Sequence, residues 1–106
     1  MSEKNNNQKI QEINILEQGL QNLFLQKQAF QMELEETNSA LNELENSGDD
    51  VFKIIGKLMI KSSKTKIKEE LSNKEKIIEL RMKNIEKQED SMSKKLEEVR
   101  NKILEK

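Results

Sequence analysis

Apolar residues recur at alternating steps of three and four through the first part of the chain: Ile13, Leu16, Leu20, Leu23, Phe30, Leu34, Leu41 and Leu44, with Lys27 and Thr37 at the two remaining seam positions. A stripe this narrow is the seam of a coiled coil and not the broad face of a globular helix. It stops at Glu45-Asn46-Ser47-Gly48, where Gly48 is expected to take the left-handed conformation that closes a helix. A second stripe runs through Leu71, Ile78, Met82, Ile85, Met92, Leu96, Val99 and Ile103, with Lys68, Glu75 and Glu89 at its polar steps. It follows Ser62-Ser63-Lys64-Thr65, a cluster rich in N-cap side chains. The spacing predicts helices over about residues 8–47 and 64–105, with a short apolar insert between them.

The two seams mirror each other about Gly56. Leu44 and Lys68 are equally distant from it in sequence, as are Leu41 and Leu71, Leu34 and Ile78, Leu20 and Met92, and Ile13 and Val99. Two unrelated heptad segments can share a phase by chance, but a match at every layer favours a chain that goes out along one helix and returns along the other. Polar residues face apolar ones in the layers Leu44–Lys68, Lys27–Ile85 and Leu23–Glu89, and Thr37–Glu75 is polar on both sides. Such residues ordinarily fix register at some loss of stability, with a binding role as the alternative. Lys27 and Glu89, in adjacent layers, are expected to pair with their stems along the seam.

The insert reads V-F-K-I-I-G-K-L-M-I-K over residues 51–61. Two β-rich runs, Val51–Ile55 and Leu58–Ser62, flank Gly56-Lys57, and glycine first in a two-residue loop suits a type II′ hairpin. Pairing Ile55 with Leu58 and Ile54 with Met59 puts Val51, Ile55, Leu58 and Ile60 on one face and Phe52, Ile54 and Met59 on the other. A lone hairpin is marginal in water and leaves both outer edges unpaired. Nothing else in the chain can supply strands, so residues 51–60 are expected to join other subunits in a shared sheet or barrel.

Composition narrows the function. At 106 residues the chain is one domain at most, and 33% hydrophobic against 37% charged is too lean for a thick core but normal for long helices. Without proline, no helix is forced to break. Cysteine and histidine are both absent, which removes disulfides, soft-metal sites, thiol nucleophiles and imidazole catalysis together. A reducing, cytoplasmic setting fits that usage. No apolar run is long enough to span a membrane, and the polar start is not expected to be a signal peptide. A net charge of −1 and only three aromatic residues, all Phe, argue against a nucleic-acid or lipid surface. Gly56-Lys57 is turn chemistry and not a phosphate loop, which would need glycine at Val51 and Ser or Thr at Leu58. Carboxylates such as Glu69-Glu70 and Glu97-Glu98 sit beside lysines on solvated helix faces. No catalytic residue, metal or cofactor is expected.

Near the chain ends, Ile10, Ile15 and Leu104 stand off the seam beside Ile13, Leu16, Val99 and Ile103. Scattered exposed aliphatics are ordinary on any surface. The functional reading is a small patch that grips exposed apolar segments of other proteins, which Phe24, Leu25 and Met32 either widen or leave for a neighbouring arm.

The insert, the following Ser62-Ser63-Lys64, the Gln-Lys-Gln at residues 26–28 and the L-x-x-K-x-x-I-x-x-L run from Leu71 to Leu80 resemble the prefoldin family, specifically its β-type subunits and most closely the archaeal ones. The α-type subunits of that family carry two hairpins, and the stretch between the arms here has room for one. The resemblance implies a hexamer of two α and four β subunits whose hairpins build a double β-barrel, with six coiled-coil tentacles around a cavity. It implies tips that hold non-native proteins without ATP and deliver them to a group II chaperonin. On this sequence, assembly falls to residues 51–62 and client holding to the apolar residues near the chain ends. Arms of roughly 57–60 Å, at 1.5 Å rise per residue, suit such a role. The competing reading is a structural or tethering coiled coil with no client, in which the insert is only a loop.

Overall fold

The computed structural model describes residues 2–104, with side chains described over residues 6–104. In chain order it has helix α1 (Ser2–Glu45), strand β1 (Asp50–Ile55), strand β2 (Leu58–Ser63) and helix α2 (Lys64–Leu104). The architecture is the expected mainly α one, two long helices with a hairpin between them. α1 begins earlier than the seam does, because the polar residues before Lys9 contain no helix breaker. The last position expected in the second helix, residue 105, lies outside the described residues.

The end of α1 is closed differently from the sequence expectation. Gly48 does not take a left-handed φ; the one glycine that does is Gly56. The carbonyls left open at the helix end are met by side chains instead. The Ser47 hydroxyl donates to the Leu44 carbonyl at 2.7 Å, and the Lys64 ammonium reaches the Glu45 and Ser47 carbonyls at 3.2 and 3.1 Å. An ammonium at a helix C-terminus also meets the negative end of the helix dipole. β2 passes into α2 without a linker, and the Ser63 hydroxyl oxygen accepts the Lys66 N–H at 3.2 Å, an N-cap bond.

The chain forms two compact units. The first comprises Met1–Ala29 and Met82–Lys106. Here α1 and α2 run antiparallel: Glu12 and Glu17 meet Lys95 and Arg100, whereas Lys27, further along α1, meets Glu89, further back on α2. Its buried side chains are Leu23, Ile85, Leu96 and Val99, all seam positions. Half-buried Ile13, Leu16, Leu20, Met92 and Ile103 extend the same stripe.

The second unit, Phe30–Arg81, holds the hairpin and the helix segments beside it. Leu44, Val51, Thr37 and Ile78 are buried. The Thr37 hydroxyl donates to the Glu33 carbonyl at 2.8 Å, so the polar seam position satisfies itself within its own helix. One expected seam position is corrected: Lys68 is exposed and pairs with Glu45 at 3.1 Å, while its neighbour Ile67 is half-buried in its place. One residue turns a helix by about 100°, and leaving an ammonium in water while covering an isoleucine is favoured on both counts.

β1 and β2 pair antiparallel, with Ile55 opposite Leu58, Ile54 opposite Met59, Lys53 opposite Ile60, Phe52 opposite Lys61 and Val51 opposite Ser62. The sheet has two strands. Gly56 has φ 58° and Lys57 no positive φ, the type II′ pattern.

Candidate functional site

Strand alternation sets Val51, Lys53, Ile55, Leu58, Ile60 and Ser62 on one face of the hairpin and Phe52, Ile54, Met59 and Lys61 on the other. The first face is anchored at its base. Val51 and Ser62 are covered there, and Lys53 donates to Glu70 of α2 at 2.8 Å. That hydrogen bond holds the Glu70 carboxyl below its ordinary pKa, with the charges of Lys53 and Lys66 acting in the same direction. Beyond this anchor, Phe52, Ile54, Ile55, Leu58, Met59 and Ile60 are between 44% and 70% exposed. Each strand has one neighbour, so both outer edges keep unpaired backbone N–H and C=O groups. Of the residues assigned to assembly, Val51 is buried within its own unit and supports the hairpin, Gly56 makes the turn, and the other six form the uncovered surface.

The apolar residues near the chain ends separate into three groups. Ile13, Ile103 and Leu104 come together with Arg100 around a shallow apolar niche. Leu16 and Val99 belong to the seam, and Val99, at 5% exposure, lies beneath the surface instead of on it. Ile10 and Ile15 are exposed at 48% and 69%, but neither lines the niche. The aliphatic stem of Arg100 walls the niche while its guanidinium pairs with Glu17 at 2.6 Å.

Further along, Phe24, Leu25 and Met32 on α1 are exposed as their off-seam positions require. Ile77 and Leu80 of α2 are exposed as well and add to the apolar surface beyond the residues singled out from the sequence. Their signal was in plain view, since both lie off the heptad stripe. The Lys27 ammonium donates to Glu89 at 2.9 Å, and this bond raises the Lys27 pKa above its ordinary value against a smaller opposing effect of burial. Among the described residues there is no group of side chains suited to a metal ion, and no helix is long and apolar enough to cross a membrane.

Comparison with known proteins gives a consistent picture. The family description "Prefoldin subunit" matches residues 7–106. Prefoldin subunit beta of Saccharolobus islandicus (strain L.S.2.15 / Lassen #1) is 38% identical over 92 residues, which are 85% of this chain and 73% of that protein. Prefoldin subunit beta of Thermococcus onnurineus (strain NA1) is 39% identical over 89 residues, 82% of this chain and 77% of that one. The crystal structure of the prefoldin beta subunit from Thermococcus strain KS-1 superposes with a TM-score of 0.86 at 34% identity, covering 92% of this chain and 88% of that chain. Helices, single hairpin and sequence together show that the chain belongs to the prefoldin family of non-enzymatic chaperones, as a beta-type subunit.

Proposed function

We propose that the chain is one subunit of an ATP-independent cytoplasmic holdase, built with α-type and further β-type subunits as an α2β4 hexamer, that delivers non-native proteins to a group II chaperonin. The observation that carries the assembly half is the uncovered hairpin, apolar on both faces and open at both edges. Strands from other subunits cover it and supply its missing hydrogen bonds. The niche of Ile13, Ile103 and Leu104, with exposed Ile10 and Ile15, supports client capture. Burying one such side chain contributes about 1.5–3 kcal/mol, so a single subunit holds weakly and several acting together hold well. Weak multivalent contacts also allow release without a nucleotide.

Native mass spectrometry of the chain mixed with an α-type subunit tests the assembly, and a mixture that stays monomeric refutes it. Aggregation of a chemically unfolded substrate tests the capture. The variant Ile10→Ser/Ile15→Ser/Leu104→Ser changes exposed positions only. It is expected to keep the assembled mass and lose most of the suppression; full suppression would count against these residues.

A further inference from the structure

Gly19 lies inside α1, where glycine is unfavourable for a helix, and its place is explained by what rests on it. A Cβ at this position would come within 3.1 Å of the Met92 Sδ and 3.3 Å of its terminal methyl. The thioether of α2 therefore sits in a notch that exists because residue 19 has no side chain. Met92 is half-buried, and the chain contains no cysteine to react ahead of its methionines. We propose that Met92 is a site of reversible oxidation by peroxides, and that its sulfoxide loosens the helix pair around Gly19.

In the reaction a peroxide oxygen is transferred to Sδ. The S–O bond forms as the O–O bond breaks, the sulfur loses two electrons, and with hydrogen peroxide the other product is water. The new oxygen is a strong acceptor lying against a helix whose backbone N–H groups are already engaged. Water is where it finds a donor, so the side chain swings outward and leaves the notch empty. No neighbour can fill that space from α1, because the notch is the missing side chain itself. Leu20, which follows Gly19 in sequence, and Leu96, one turn beyond Met92, lose packing beside it. The turns carrying Leu16, Leu20, Leu96 and Val99 then open more often. That this adds client-binding surface rests on the function proposed above; the opening itself does not.

Met32 serves as an internal control, since it is 63% exposed and oxidises without a seam to disturb. The full chain, assembled with its α-type partner, is treated with hydrogen peroxide. Oxidation is mapped by peptide mass spectrometry and helix opening by amide hydrogen exchange. Exchange over residues 13–23 and 89–100 is expected to rise about tenfold once Met92 is a sulfoxide. It should be restored by methionine sulfoxide reductase and stay unchanged in Met92→Leu, which keeps the apolar volume but has no sulfur to oxidise. Met92 that resists peroxide, unchanged exchange with Met92 fully oxidised, or the same rise in Met92→Leu would each overturn the proposal. Suppression of aggregation, read on the same samples, bears on client capture alone.

Discussion

Gly56 is the residue on which the hairpin turns, and at φ 58° it occupies backbone space that L side chains rarely adopt. Gly56→Ala is expected to destabilise the chain by about 1–2 kcal/mol, read as a lower urea midpoint, although a Cβ there would meet no neighbour within 4 Å. Thr37 is the converse case: buried, but with its hydroxyl satisfied by its own helix. Thr37→Val is expected to leave stability unchanged or raise it by about 0.5–1 kcal/mol at most, read from the urea midpoint. Charged residues respond to pH with opposite signs. Glu70 has a lowered pKa in the fold, so its contribution is present above the ordinary glutamate value and disappears as pH falls through the lowered one. Lys27 has a raised pKa, so its contribution is present below the ordinary lysine value and disappears as pH climbs through the raised one. Both pairs are partly exposed and screened by solvent, which keeps these effects small. In thermal scans Lys53→Met should melt below the parent at neutral pH, and the gap should close in acid as Glu70 protonates. The ion pair of Lys27 and Glu89 was legible from adjacent heptad layers, whereas the exchange of Lys68 for Ile67 was not. A single-residue shift in phase where a helix starts depends on how the preceding strand delivers the chain, which spacing alone does not encode.

The hairpin shows at the level of elements what periodicity can and cannot reveal. Its turn residues and register followed from Gly56-Lys57 and from apolar runs of equal length on either side. The end of α1 did not, because Gly48 is the obvious terminator by composition while the carbonyls are in fact closed by Ser47 and by Lys64 from across the insert. A contact between residues so far apart in sequence leaves no local trace. Phe52→Asp/Ile54→Asp places carboxylates on the uncovered face without touching the base at Val51 and Lys53. Helix content by circular dichroism is expected to persist while size-exclusion chromatography shows the complex dissociated. An unchanged elution volume would contradict the assembly role.

At the scale of the molecule, the residues proposed for assembly and those proposed for capture are different, so the two roles are expected to be separable by mutation. Changing Ile10, Ile15 and Leu104 is expected to remove holding and spare the complex. Changing Phe52 and Ile54 is expected to remove both, since weak surfaces hold well only when several act at once. The family is one of non-enzymatic chaperones, in line with a sequence that has neither histidine nor cysteine. Off-seam positions such as Ile10, Leu25, Ile77 and Leu80 are all exposed and look alike in sequence, so spacing does not rank them. At Ser63 and Lys64 strand becomes helix with no residue to spare. On the other side of the sheet, residues 46–49 lie between Glu45 and Asp50. The hairpin is therefore joined to the returning helix directly, and to the outgoing one through residues 46–49, which Ser47 and Lys64 tie to the helix end by hydrogen bonds.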